Sequence, residues 1–541
     1  MSHACVTQVL HKKKRGYLNL LLSDLRIPVE KDGRDEYRKA ASRKLNLSEA
    51  ALQIVKVLSK SLDAGDQEQF YYDISLVVHT SDSFANPDNL PLYTETIAKK
   101  RVLQNSAERP VVIGFGPAGM FAALELIAYG LKPIIFERGK KLEERHIDVQ
   151  KFMDDKVLDP ESNIQFGEGG AGSYSDGKLF SRKSNTAYIN KVLDTFIRFG
   201  APEEIGYVSK PHLGTDVLCG IVRNIRNHIL EQGGEIHYRS KMTDMLLSDN
   251  TVVGIVINGE KEYPCSSIYL AVGHSARDTF EMLHRKGIML EQKPISVGVR
   301  VEHPVEIINR MRYGDKYKDF SGIGAATYSL NYTDRKIGRG VYTFCMCPGG
   351  EVMNASSEYG MLVVNGMSYS RRASAFSNAA IVVTCRTDDY RSAGPLAGVQ
   401  FQKDIERKAF HAGGGAWGVP AQNLPDFMSG KSSGSLNRNT CATGTVAADM
   451  REIFPAFINH SLMAAFTTWK KTYPVFVSPQ AILLGAETRT SAPLRITRSD
   501  KFESVNIRNL YPIGEGSGYT GGITSSAADA IRAVEAVLSA V

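Results

Sequence analysis

The chain has 541 residues, 43% apolar and 23% charged, with a formal net charge of +7, the composition of a soluble globular protein long enough for two or three domains. That charge is too modest over this length to imply a nucleic-acid or membrane partner, and no window approaches the ~20 apolar residues of a spanning helix. Seven scattered cysteines without paired CxxC motifs exclude a zinc ribbon or a disulfide framework and favour a reducing compartment, so a cytoplasmic protein is expected, with no metal site and no membrane partner.

In chain order, residues 17–22 read as a strand, residues 36–45 as a helix with a basic face, residues 52–58 as a β-branched segment and residues 70–78 as a strand. This predicts a small N-terminal α/β domain of the β-α-β-β kind over residues 1–100. Residues 1–60 hold 13 Lys/Arg against 6 Asp/Glu. The excess reads as a solvated helix face plus the basic tail at residues 12–15, ahead of a docking surface for RNA or an acidic partner. Residues 86–91 read as a linker.

Residues 111–113 are an apolar run that meets Gly114-Phe115-Gly116-Pro117-Ala118-Gly119, then a run of helix formers. A second apolar run, residues 134–136, ends in Glu137-Arg138. Gly114 permits a tight turn, Gly116 lets a pyrophosphate approach the backbone, and Gly119 lets helix and strand pack closely. Glu137 stands where a carboxylate accepts hydrogen bonds from ribose hydroxyls. Residues 140–213 read as irregular and glycine-rich, and residues 217–231 as a helix. Residues 235–238 and then Met242 read as a strand pair, where a dinucleotide-binding fold usually presents backbone to adenine; residues 251–257 read as one arm of a hairpin, and residues 267–273, with Ala271 and Gly273, as the strand that returns to the dinucleotide. Alternation at 297–302, 341–344 and 381–384 predicts a β-rich substrate or lid domain over residues 289–480. A last strand–glycine–helix unit follows, with Gly514, Glu515, Gly516, Gly518, Gly521, Gly522 and Ile523 before a small-residue helix.

The GxGPAG at 114–119, Leu270-Ala271-Val272-Gly273-His274 and the GEGxGYxGGI at 514–523 resemble the two-dinucleotide-binding-domain flavoproteins. Residues 166–178, 210–216, 339–350 and 487–493 narrow the resemblance to a group of bacterial-type FAD-dependent proteins described as NAD/FAD-utilising dehydrogenases of unestablished substrate. The resemblance runs from about residue 100 to the end. It implies an α/β protein with a discontinuous Rossmann-like FAD-binding domain (101–288 and 481–541), the β-rich insertion and the N-terminal domain. It also implies non-covalent FAD held by Gly114, Gly116, Pro117, Ala118, Gly119, Glu137, Arg138, Gly170, Gly172, Ser173, Gly177, Lys178, Met242, Ala271, Gly273, Gly514, Glu515, Gly521, Gly522 and Ile523.

The flavin performs the electron transfer and the protein supplies position and charge. Lys178 is expected to tune the flavin, Arg489 to bind a substrate anion or sit in an internal ion pair, and Tyr519 to contact the ring. His212 and His274 are general acids or, more simply, hydrogen-bonded structural histidines. Cys345 and Cys347 read as a packed turn ahead of a redox pair. The insertion holds no second GxGxxG unit, so NAD(P)H as electron donor would bind transiently in the open pocket. The expected function is an FAD-dependent oxidoreductase acting on a small molecule, with no nucleic-acid partner. An FAD-dependent RNA-modifying enzyme and a non-catalytic FAD scaffold or sensor are the alternatives.

Overall fold

This computed structural model describes residues 17–81, 84–86, 88–94, 109–179 and 186–539; the basic run 12–15 and Pro87 of the expected linker lie outside the described residues. The chain divides into two compact units, one made of residues 1–101, 203–211 and 320–323, the other of the remainder. Apart from residues 320–323, the segment 289–480 belongs to the same unit as the dinucleotide-type elements. Among the described residues no helix is long and apolar enough to cross a membrane.

In the smaller unit, strands Tyr17–Pro28, Leu52–Asp63 and Tyr71–Ser81 form an antiparallel sheet with Tyr71–Ser81 in the centre. Every second residue turns to one face, and Leu20, Leu22, Ile74, Leu76 and Val78 are buried there. Helix Arg34–Leu45 covers that face with Tyr37, Ala40, Ala41 and Leu45, residues at helical spacing. Its first turn carries Asp35 and Glu36 and its last turn Arg43 and Lys44, which suits the helix dipole, and Asn46 ends it in the left-handed conformation.

The larger unit is organised by a five-stranded parallel sheet in the order Leu510–Pro512, Ile268–Leu270, Val111–Ile113, Ile134–Phe136, Glu235–His237. All residues of Val111–Ile113, Ile268–Leu270 and Leu510–Pro512 are buried, as befits strands covered on both faces. From Val111–Ile113 the chain winds outward one way to Glu235–His237, then returns to build the other side. The crevice at the carboxyl end of Val111–Ile113 is therefore the switch point, where open parallel sheets take their ligands. A three-stranded antiparallel sheet, Met242–Ser248, Thr251–Ile257 and Lys261–Pro264, follows Glu235–His237 in the chain.

Residues 140–213 are less irregular than their sequence suggests, for they contain helices Leu142–Asp155 and Thr186–Arg198. The first is masked by its charges: Leu142, Val149, Phe152 and Met153 form a buried stripe that has Arg145 inside it.

The segment 289–480 supplies most of a seven-stranded sheet. Its order is Asn331–Asp334, Arg339–Cys347, Phe376–Cys385, Ile295–Pro304, Ile482–Glu487, Val419–Asn423, Thr445–Ala447, antiparallel except for the last pair. The segment is mixed rather than β-rich. Helix Ala456–Thr472 packs on Asn331–Asp334, Arg339–Cys347 and Phe376–Cys385, and Ala397–Ala412 packs on Val419–Asn423 and Ile482–Glu487. Strand alternation marks the sheet alone; the helices that cover it bury their own stripes, Ile458, Leu462, Ala465, Phe466 and Trp469 in Ala456–Thr472.

Candidate functional site

The turn after Val111–Ile113 requires glycine at its first position. Gly114 has φ 98°, and a Cβ there would stand 2.4 Å from the Ala271 carbonyl oxygen. Gly116 differs: its φ is −84°, and a Cβ would meet nothing nearer than the Gly170 Cα at 3.6 Å. The space before Gly116 is open cavity. That cavity, of about 1040 Å³, is lined by Gly114, Gly116, Pro117 and Ala118 on one side and by Gly521, Gly522 and Ile523 on another. Helices Pro117–Ala128 and Ile523–Leu538 both start on it; neither N-cap residue, Gly116 or Gly522, supplies a side-chain cap, and the Glu515 carboxyl accepts the Gly522 N–H. Two helix N-termini on one cavity present backbone N–H groups and positive dipole ends to a common ligand, which favours an anion.

Glu137, Arg138, Gly170, Gly172, Gly177, Lys178, Met242, Ala271, Gly273, Glu515, Arg489 and Tyr519 line the same cavity. Three expected cofactor residues stand behind its wall instead. A Cβ on Gly119 would lie 1.9 Å from the Gly114 carbonyl oxygen, so Gly119 sets helix against turn. Gly514 backs onto Ala118 in the same way. Ser173 is buried and packs over Gly169.

Glu137 braces the backbone around the cavity. Its carboxylate accepts the backbone N–H groups of Phe115 at 2.8 Å and of Gly139 and Gly167 at 2.9 Å each. It thereby joins the first glycine turn, the turn after Ile134–Phe136 and the loop at 167. A carboxylate has about four acceptor sites, so one is left for the cavity. Arg138 is held by two hydrogen bonds of 3.0 Å to Asp278 and one of 2.7 Å to Glu161, with its guanidinium 3.9 Å over the Phe166 ring. It forms cavity wall rather than a free cation.

Sequence reasoning missed Arg145. It is fully buried and donates to the carbonyl oxygens of Asn163, Ile164, Gly167, Glu168 and Gly170, folding the glycine-rich loop around one guanidinium. The available signal was an arginine in register with Leu142, Val149 and Phe152.

Of the two readings held open for Arg489, the ion pair is the one observed. It donates to Glu406 at 3.1 and 2.9 Å and to Ser357 at 2.6 Å. Arg277 donates to the same Glu406 at 2.6 and 2.8 Å. Glu406 is fully buried; burial alone would raise its carboxyl, but Arg277 and Arg489 hold it well below the carboxylate range. This binds Arg489 too tightly to act as an anion receptor.

Lys178 Nζ is 3.8 Å from Asp176 and its side chain is about a third exposed. The Tyr519 ring lies 4.3 Å from the Arg498 guanidinium and 5.5 Å from that of Arg495. His274 lines the cavity beside Ser275 and Glu515, with Nε2 4.0 Å from the Glu515 carboxylate. Burial pushes His274 down to about 3, so it stands neutral at physiological pH and is no cationic acid. Burial pushes the Glu515 carboxyl up to about 7. His212 lies off the cavity lining, its Nε2 3.2 Å from the Ser370 carbonyl oxygen, and burial lowers it as well. Among the described residues no group of three or more His, Cys, Asp or Glu is arranged to hold a metal ion.

Residues 294–490 match the family described as FAD-dependent protein, C-terminal domain-like. Over 509 residues the chain is 41% identical to an uncharacterized protein of Clostridium beijerinckii (strain ATCC 51743 / NCIMB 8052), covering 92% of this chain and 95% of that one, and it belongs to the same family. Among solved structures it is similar to CtdE in complex with FAD (12% identity, 80% of this chain and 84% of that chain, TM-score 0.31). It is also similar to glycine oxidase from Bacillus cereus ATCC 14579 (11%, 80% and 96%, TM-score 0.31) and to the flavin-dependent brominase Bmp2 (14%, 80% and 79%, TM-score 0.36).

Replacing Glu406 by Ala takes the fully buried carboxylate from Arg277 and Arg489 and leaves them only that of Glu358, at 3.0 and 3.4 Å; it should cost about 3–5 kcal/mol, read by chemical denaturation, and a loss below about 1 kcal/mol would show that the network carries little. Glu137→Gln replaces one acceptor oxygen by a donor facing a backbone N–H. It should destabilise the larger unit by about 1–3 kcal/mol even without ligand, whereas a residue that only touched a ribose would leave the ligand-free melting curve unchanged.

Proposed function

We propose that the protein is an FAD-dependent oxidoreductase that holds FAD non-covalently in this cavity and acts on a small molecule admitted beside it. The observation that carries the reading is the pair of helix N-termini, Pro117–Ala128 and Ile523–Leu538, on one cavity whose near wall, at Gly116, is bare backbone. A diphosphate needs such a cradle: backbone N–H groups, positive dipole ends and no Cβ in the way. The family match at residues 294–490 supports the same group. A volume of about 1040 Å³ lies just above the ~300–1,000 Å³ typical of ligand sites.

FAD, when bound, supplies the electron transfer. The chain's residues do the rest. The two helix starts hold the diphosphate. Glu137, already braced by three backbone N–H groups, offers its remaining acceptor capacity to ribose hydroxyls, and the backbone at Met242 meets the adenine. The N-terminus of Ile523–Leu538 favours negative charge on the reduced ring. Lys178 and Tyr519 line the substrate side, with Tyr342, Asn365, Thr490 and Ser491 as polar contacts. The same open cavity would take NAD(P)H transiently as electron donor. The six cysteines among the described residues are all free, which fits a reducing, cytoplasmic compartment.

Gly116→Val tests the cradle directly. The backbone there is compatible with a side chain and the nearest atom is 3.6 Å away, so the variant should fold with a wild-type circular dichroism spectrum. It should also lose flavin absorbance on purification and show at least a ~100-fold weaker FAD affinity, since a branched side chain fills the diphosphate's place. A folded variant that binds FAD as the wild type does would refute the assignment.

A further inference from the structure

Strand Arg339–Cys347 pairs regularly with Phe376–Cys385 as far as Phe344↔Ala380 and resumes at Cys347↔Asn378. Cys345 and Met346 thus face a single residue of the neighbouring strand, which is a β-bulge. Cys345 stands at φ 43°, a left-handed conformation unusual for a side chain other than glycine, and one that clusters at functional sites. The bulge brings Cys345 to the cavity wall, with Cys347 fully buried behind it. The Cys347 thiol donates to the Cys345 carbonyl oxygen at 3.4 Å.

Two cations stand near the pair, Arg300 and Lys178, accompanied by the carboxylates of Glu487 and Asp176. Arg300 is fully buried and donates to the Cys345 carbonyl oxygen at 3.2 Å, to Asn378 at 2.7 Å, to Asn365 at 3.3 Å and to Glu487 at 2.9 and 3.1 Å. Lys178 lines the same cavity as Cys345. Two thiols two residues apart, one at a cavity and one behind it, with cations at hand, have the arrangement of a reactive pair rather than of buried packing.

We propose that Cys345 and Cys347 form a dithiol–disulfide couple that exchanges two electrons with the FAD of the cavity, an inference that rests on the function proposed above. In one direction both S–H bonds break and one S–S bond forms, and the electron pair and two protons pass to oxidised FAD. In the other direction the disulfide is reduced to two thiols as reduced FAD is reoxidised. No further co-reactant is needed for the exchange. The acid–base character of the described cysteines agrees. Burial pushes Cys265 and Cys441 up to about 11 and Cys385 up to about 12. Cys345 is held below the usual thiol value, first by the hydrogen bond from the Cys347 thiol and then by Lys178 and Arg300, while Cys347 is raised.

The test uses the full-length protein loaded with FAD and equilibrated with oxidised glutathione. Anaerobic dithionite titration should take up about four electrons per flavin in the wild type and about two in Cys347→Ser, because the couple and the flavin each hold two. Cleavage after Arg339 and Arg371 releases residues 340–371, which contain these two cysteines and no others. In the oxidised wild type this fragment should be two hydrogens lighter and resist alkylation, and it should regain both thiols after titration. The fragment stands as evidence even where the variant fails to fold. Bound FAD with about two electrons taken up by the wild type and a fragment alkylated at both cysteines overturns the couple alone. A protein that binds no FAD overturns the function proposed above, and this inference with it.

Discussion

One buried carboxylate holds three separate backbone segments at the floor of the cavity. Glu137 receives N–H groups from Phe115, just after Val111–Ile113, from Gly139, just after Ile134–Phe136, and from Gly167 in the loop 163–170. Each of these N–H groups would otherwise be buried without a partner, at a cost of about 1–3 kcal/mol. The glycine turn keeps its shape because Glu137 fixes its outer edge while Gly119 lets the helix close on its inner one. The open space before Gly116, and with it the uncapped start of Pro117–Ala128, depends on that arrangement.

The cavity walls follow the same pattern of buried charge matched to fixed partners. Arg145 gathers five carbonyl oxygens of the loop 163–170, Arg138 is clamped by Asp278 and Glu161, and Arg300 by Glu487, Asn378 and Asn365. Glu406 sits between Arg277 and Arg489. Ionised groups in a low-dielectric interior persist only when their partners are near and well aligned. Such networks fix the walls of the cavity by buried charge matched to partners rather than by hydrophobic packing alone.

The parts of this architecture set by short-range pattern were legible in the sequence. Residues 111–113, 134–136, 268–270 and 510–512 read as strands because they are short apolar runs set off on at least one side by glycine, proline or a polar residue, and the two glycine-rich turns mark where the chain must pass close to something. Contacts between distant residues were not legible. Arg489 has its partner 83 residues away at Glu406, and Glu406 has its other partner 129 residues away at Arg277, so local composition left an anion receptor and an ion pair equally open. Helix Leu142–Asp155 was hidden because its buried stripe contains Arg145, a residue that reads as solvent-facing until its carbonyl partners are seen. At Cys345 the CxC spacing was plain, but the bulge at the cavity wall depends on the register of the neighbouring strand.

The central claim is that the two helix N-termini and the bare backbone between them hold FAD without a covalent bond. Its most direct measurement is the mass and quantity of the ligand released when the purified full-length protein is precipitated with acid. The account predicts about one FAD per chain in the supernatant and a colourless pellet, because nothing beyond backbone hydrogen bonds, dipoles and polar contacts retains it. A protein that is colourless as purified and remains so after incubation with FAD, or a pellet that keeps the flavin, would contradict it.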